Sequence, residues 1–332
     1  MRLPKFKYLF QNRALVLMYH RIYSPLTDPW NLSVSPENFE AQLKFLTEHY
    51  LIVSTHELTR QINSGKIKNG SVALTFDDGY LDNFTTAKPL LEKYSVPATF
   101  FITDSYLGGQ PFWWDELEEI IVDTKKLPSV FSITLKDEKI LFNLGEENTL
   151  SEELRSKQVN YRASRPTTLR TQLYVKLWKL FSPLPKDEQM QFLKLIREWA
   201  GLSEKDIQVK GTMTVQQLKQ LSENPLFTIG GHTKTHPALA NHTVDVQAEE
   251  IRENRRFLEN HLDISVDQFT YPSGNFNDST IKILKDHDFS AAFTTSSKPV
   301  LKNTDLFRIG RFQVTNLTRK KFERNLIKWI RN

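Results

Sequence analysis

The sequence predicts an α/β protein built as a (β/α) barrel. Three observations carry that expectation. Short apolar runs bounded by turn residues alternate with amphipathic helical stretches in both the first and the last third of the chain, giving about seven or eight strand–helix units. The run Val72–Phe76 stops at Asp77-Asp78-Gly79, and another leads into Gly230-Gly231-His232, so residues capable of chemistry collect where strands end. Ligands of parallel sheets bind at that edge. Between about residues 105 and 210 the alternation breaks. A mixed helical and hairpin insertion, or small subdomain, is expected there within a single domain spanning 1–332.

Taken in order, Ala14–Tyr19 reads as a strand ending at His20. Ser35-Pro36-Glu37 opens a helix to about His49, with Phe39, Leu43 and Leu46 on one face. Leu51–Val53 is a short strand, and Thr55 caps a helix ending near Gly65. Strand Val72–Phe76 is followed by a helix from Leu81 to Tyr94 and by strand Ala98–Thr103. Such alternation implies parallel strands with right-handed crossovers. In the insertion, Pro111–Asp115 leads into a helix to about Val122, and Val130–Leu144 alternates like a β-hairpin. Helices are expected at Thr168–Leu180 and Lys186–Ala200. The rhythm returns with helix Val215–Ser222, strand Leu226–Ile229, helix Asp245–His261 and strand Gln268–Tyr271. Helix Ser279–His287, strands Ser290–Thr294 and Phe307–Gln313, and helix Thr318–Ile330 complete the chain.

Composition narrows the function. With 332 residues, 39% apolar and 25% charged, the chain has ample length for a core and is neither disordered nor membrane-spanning in character. Its 44 Lys+Arg against 39 Asp+Glu give +5, a mild excess that suits an anionic substrate or peripheral contact with a membrane surface. No basic block with interleaved aromatics appears, which disfavours nucleic acid. Without cysteine there is no disulfide and no thiolate site, so any metal must be held by His and carboxylate. Met1–Asn12 is basic and aromatic but lacks a continuous apolar core and a small-residue cleavage site. Cytoplasmic action without a secretory signal is therefore expected. Oligomeric state is not legible.

Adjacent carboxylates repel unless a cation, a proton or a basic side chain intervenes. By itself Asp77-Asp78-Gly79 reads first as a turn capping the next helix. His232 and His236, four apart just past another strand end, can present both imidazoles to one point if that segment is helical or tightly turned. One Asp with two His makes a 2-His-1-carboxylate set with open positions for water and substrate.

Together Thr75-Phe-Asp-Asp-Gly79 and His232-Thr-x-x-His236 resemble the paired signatures of the polysaccharide deacetylase family, the NodB-homology domain of carbohydrate esterase family 4. Leu17–Ile22, Pro97–Phe101, Gly230–Leu239 and Phe269–Gly274 look like flanking family segments, covering about 14–104 and 211–315 but not the insertion. The resemblance implies a distorted (β/α)7-type barrel and metal-dependent removal of an N-acetyl group from an amino sugar. It makes Asp78, His232 and His236 the metal ligands and Asp77 the general base. Zinc is the default cation, with Co2+, Mn2+ or Ni2+ as alternatives. In Tyr271-Pro272-Ser273-Gly274 it implies that the Ser273 N–H helps hold an oxyanion, with Tyr80, Tyr271 and Pro272 contacting substrate.

Two departures stand out. The family's usual Arg two residues before the proline is Thr270 here, so Arg311 or Arg308 must supply a cation to Asp77, and Arg311 is preferred. No His follows His287, so His20 at the first strand end becomes the candidate for contacting substrate or protonating the leaving amine. Trp113-Trp114-Asp115 offers flat faces beside a carboxylate, suited to stacking on sugar rings. The expected substrate is an amino sugar, nucleotide-linked, lipid-linked or polymeric, in surface-polysaccharide biosynthesis. Deformylation of a lipid-linked sugar and deacetylation of a secreted polymer are the enzymatic alternatives. A catalytically inactive carbohydrate-binding domain on the same fold is the alternative of another class.

Overall fold

The structure is a computed structural model that describes residues 12–135, 138–209 and 211–331. Residues 1–11, on which the expectation about a leader rests, and residues 136–137 within the expected hairpin stretch lie outside the described residues. The chain forms two compact units. One comprises the chain up to Ser24, Leu32–Gly109 and Thr212 onward, and the other Pro25–Asn31 with Gln110–Gly211. The insertion thus clusters at 110–211 rather than from 105, and takes in an early segment that the sequence did not mark.

Among the described residues the first unit contains a ring of seven parallel strands: β1 (Arg13–Tyr19), β2 (Ser71–Phe76), β3 (Ala98–Ile102), β4 (Phe227–Gly231), β5 (Gln268–Thr270), β6 (Ala291–Phe293) and β7 (Phe312–Gln313). They run side by side in the order β7, β1, β2, β3, β4, β5, β6. The ring closes where the Thr294 N–H donates to the Ile309 carbonyl (2.8 Å) and the Ile309 N–H to that of Ala292 (3.1 Å). This is the α/β, distorted (β/α)7-type barrel that the sequence predicts.

Strand β1 pairs with β2 from Leu15↔Val72 to Tyr19↔Phe76, and both are buried on both faces, which is why they read as unbroken apolar runs. Side chains still alternate. Leu15, Leu17 and Tyr19 join the layer packed under the helices, while Ala14, Val16, Ala73, Phe101, Phe293 and Ile309 form a separate core. The same period of two places Thr75 and then Asp77 on the face of Ala73, at the carboxyl end of the ring.

Local departures have local causes. The helix Thr55–Asn63 is capped by Ser54, whose hydroxyl accepts from the Glu57 N–H (3.1 Å), and not by Thr55. Thr55 turns inward and bonds Thr99 (2.7 Å). The expected helix 81–94 is a wide turn at Asn83–Ala87 followed by Lys88–Lys93, because Pro89 has no N–H for the regular ladder. The expected strand 307–313 survives only as a bridge at Ile309 and as β7. Between them a Cβ on Gly310 would lie 2.6 Å from the Lys298 carbonyl and 2.7 Å from that of Ser296, so only glycine permits this close approach. The displaced backbone bonds Ser296 through the Arg311 N–H (2.9 Å) instead of continuing the ladder.

The second unit contains the hairpin Val130–Leu135/Glu138–Asn143 and the helices Trp113–Glu118, Leu169–Phe181 and Lys186–Ala200. A further helix, Glu152–Gln158, escaped the sequence reading because its polar run buries only Leu154 and Gln158.

Candidate active site

Strand β2 delivers Asp77 into the ring at its carboxyl end. Asp78 (φ 78°) and Gly79 (φ 91°) then both take left-handed backbone, which reverses the chain and brings the second carboxylate round beside the first. Asp77 and Asp78 are almost fully buried. Each finds a different partner.

Asp77 meets Arg311 in a two-pronged pair, Oδ1 to Nη1 and Oδ2 to Nη2, both at 2.7 Å. Arg311 is completely buried, and its remaining donors reach the Thr75 hydroxyl and the Thr294 carbonyl, each at 3.1 Å. Planar guanidinium geometry suits this fork. Burial alone would raise the Asp77 pKa, but the Arg311 charge and hydrogen bonds, then the His232 and His20 rings, hold it below the ordinary carboxylate value. Arg308 lies elsewhere, exposed and paired with Asp278 and Asp305.

Asp78 faces the imidazoles. Its Oδ1 lies 3.4 Å from Nε2 of His232 and 3.4 Å from Nε2 of His236. One ligand atom from each of the three residues falls within 4.8 Å of the others. The loop that presents them is not helical, since Thr233 (φ 66°) and His236 (φ 63°) take left-handed backbone and the Thr233 hydroxyl accepts from the His236 N–H (3.0 Å). His232 Nδ1 bonds the Thr270 carbonyl (2.9 Å), which fixes the proton on Nδ1 and leaves the Nε2 lone pair aimed at Asp78. Burial lowers the His236 pKa to about 4, so this ring is neutral near pH 7. Burial opposes ionisation of Asp78, while hydrogen bonding from His232 and the charge of the neighbouring imidazoles, when these rings are protonated, lower its pKa.

This donor set fits a cation. Asp78 Oδ1 is buried and has no hydrogen-bond partner among the described residues. A carboxylate oxygen facing two imidazole nitrogens, at least one with its lone pair turned inward, is a set of acceptors short of positive charge.

Several supporting residues were missed from sequence. The Asn254 Oδ1 accepts from the His232 N–H (3.1 Å), and its amide donates to the Ile102 carbonyl (3.0 Å) and to Asp104 (2.6 Å). Glu250 accepts from the Thr235 N–H (2.8 Å) and hydroxyl (2.6 Å). Both sit on the buried face of helix Val244–Leu262 beside Gln247 and Ile251. Polar residues at helical spacing on an otherwise apolar face were the available signal. Thr270 stands where the family has its arginine, and it serves His232 instead of Asp77.

Other expected residues fall differently. His20 has a buried Nδ1 with no hydrogen-bond partner among the described residues, and its charge acts on Asp77 and Asp78. Ser273 takes φ 55°, and its N–H is not engaged by the hydrogen bonds that fix the 271–275 turn. Tyr80, expected against substrate, is instead fully buried under the Arg21 guanidinium, 4.4 Å from its ring centroid. Tyr271 is likewise a core residue, stacked on Phe276 at 4.1 Å with its hydroxyl on the Phe307 carbonyl (2.9 Å). Pro272 beside it is buried. Trp113 and Trp114 do not form an open platform. Both are buried, Trp114 stacked on Phe112 (4.4 Å) and Trp113 against Trp178 (6.0 Å), because tandem indoles in a helix gain most by filling the core of their unit.

Comparison with known proteins agrees with this geometry. The family profile described as polysaccharide deacetylase matches residues 64–124 and 199–292, which bracket both the Asp pair and the His pair. Over those two stretches the chain carries a polysaccharide deacetylase domain. A poly-beta-1,6-N-acetyl-D-glucosamine N-deacetylase of Staphylococcus aureus is 34% identical over 121 residues, covering 32% of this chain and 41% of that protein. The chain thus matches about two fifths of that curated relative's length. Among solved structures, IcaB from Ammonifex degensii superposes with a TM-score of 0.60 at 17% identity, covering 97% of this chain and 98% of that one. The Streptococcus pyogenes deacetylase PplD in complex with acetate gives 0.54 at 20% identity, covering 96% and 98%. At such identities the likeness establishes the family's barrel.

Proposed function

We propose that this chain is a hydrolase that removes N-acetyl groups from amino sugars of a polymeric glycan in surface-polysaccharide biosynthesis, using a divalent cation, zinc by default. The observation that carries the reading is the division of labour between adjacent aspartates: Asp77 paired to Arg311, Asp78 facing two imidazoles. The polymeric substrate is favoured over nucleotide-linked and lipid-linked sugars because the Staphylococcus aureus relative is named for a polymer of N-acetylglucosamine.

Asp78, His232 and His236 would hold the cation, which when bound polarises an acyl oxygen and makes water more acidic. Asp77, kept ionised by Arg311, takes one proton from the attacking water as its oxygen bonds the acyl carbon. The Ser273 N–H donates to the developing oxyanion. His20 delivers a proton to the amine nitrogen as the C–N bond breaks, leaving acetate and a free amine. The inactive binding-domain alternative loses ground because the base, its cation and the three-residue donor set are all present.

The test is acetate release from poly-N-acetylglucosamine, from a nucleotide-linked N-acetyl sugar and from a lipid-linked one, by wild type, D77N and H20A. Release from the polymer is expected to be fastest, with D77N slower by about 10²–10⁴-fold, the range for losing a general base. Release confined to the nucleotide sugar refutes the polymeric reading, and full activity of H20A removes that residue from the chemistry.

A further inference from the structure

The terminal helix Arg319–Arg331 buries Phe322, Leu326 and Ile330. Its outer side carries Lys320, Lys321, Arg324, Lys328 and Arg331, all exposed. Successive helical residues advance about 100°, so these five cations fall within roughly 100° of arc, opposite the buried stripe. Basic side chains elsewhere on the surface are commonly paired, as in Lys68–Glu57, Lys88–Glu92, Arg255–Glu259 and Lys282–Asp286. None of the five has an ion pair among the described residues, whereas Arg319, off the stripe, pairs with Glu48 at 2.9 Å. The single acidic residue of the helix, Glu323, lies on its flank.

A second observation places the patch within the fold. The Arg13 guanidinium donates to the Ile330 carbonyl (2.6 Å), tying the start of β1 to the last turn of the helix. The chain therefore enters β1 beside the last turn of the cationic helix. This end of the ring is where the strands begin. The Asp–His cluster stands at the opposite end, where they finish.

We propose that the outer face of helix Arg319–Arg331 docks on an anionic lipid bilayer surface. An unpaired, one-sided row of Lys and Arg about 13 residues long matches a plane of negative headgroups, and it leaves the strand-end site uncovered. The face lacks the exposed large apolar residues of an inserting helix, so the contact is electrostatic and reversible. It is independent of the reaction assigned above.

The experiment is co-sedimentation of the full chain with phosphatidylcholine vesicles with and without phosphatidylglycerol, comparing wild type with K321E/R324E/K328E and with the milder K321Q/R324Q/K328Q. At about fivefold per basic residue, neutralising three is expected to weaken binding on the order of 100-fold. The reversal variant should weaken it further, and raised salt should release the wild type. Unchanged melting temperatures and acetate release separate lost docking from lost folding. Equal binding to pure phosphatidylcholine, or binding to anionic vesicles unaffected by the substitutions, would overturn the proposal.

Discussion

At the scale of single residues, the site depends on two groups next to each other in sequence having opposite surroundings. Arg311 is the means for Asp77. Its charge lowers the Asp77 pKa, so removing it must raise that pKa. A base works only when deprotonated, and the acid limb of the rate–pH profile of R311Q should therefore move to higher pH. Leaving a buried carboxylate without its partner should also cost about 3–5 kcal/mol of stability. An acid limb identical to wild type, in a variant that folds, would show that Asp77 is not the titrating base. The residues that the structure brings together, Asp77, Asp78, His232 and His236, were the ones marked in the sequence, because the Asp-Asp-Gly and His-x-x-x-His spacings survive in one dimension. The source of the cation on Asp77 was narrowed in sequence to Arg308 or Arg311, with Arg311 preferred, and Arg311 is the one that pairs with it. Choosing between them takes the break at Gly310, which turns Arg311 inward while Arg308 remains in solvent.

Elements carry the next level of order. Helix Val244–Leu262 steadies the histidine loop through two polar side chains on its buried face, Asn254 and Glu250. Replacing Asn254 with Ala removes its bonds to the His232 N–H, the Ile102 carbonyl and Asp104 together. N254A is expected to lose about 1–3 kcal/mol of stability and to bind zinc about 10–100-fold more weakly, measured by competition with a chromophoric chelator. Undiminished zinc affinity would mean that the loop holds its shape without the helix. Most elements were legible: helices at Pro36–His49, Lys186–Ala200 and Val215–Ser222 match their expected limits, since capping residues and apolar spacing agree. The aromatic assignments failed for a shared reason. Tyr80, Tyr271, Trp113 and Trp114 lie near motifs, and sequence proximity does not distinguish a ring lining a cleft from one filling the core beneath it.

On the scale of the whole molecule, the two units respond to pH through different groups. In the unit of Pro25–Asn31 and Gln110–Gly211, burial lifts the Glu118 pKa to about 8, although the Thr27 and Tyr161 hydroxyls bonded to it pull the other way. An acid with a raised folded-state pKa binds its proton more tightly when folded. Its contribution to stability is complete below the ordinary glutamate value and declines as pH rises from there towards about 8. E118Q, neutral at every pH, should flatten the fall in melting temperature of that unit between about pH 5 and pH 8. An unchanged slope would place the titration elsewhere. The barrel unit meanwhile stakes everything on bringing three residues from two distant stretches to one point. The direct measurement is zinc content by mass spectrometry alongside acetate release, before exhaustive chelation, after it, and after adding zinc back. The account predicts one zinc per chain, release abolished by chelation and restored by zinc, and no zinc retained by D78A/H232A. Acetate release that persists in chelated protein, or zinc held equally by the double variant, would contradict it.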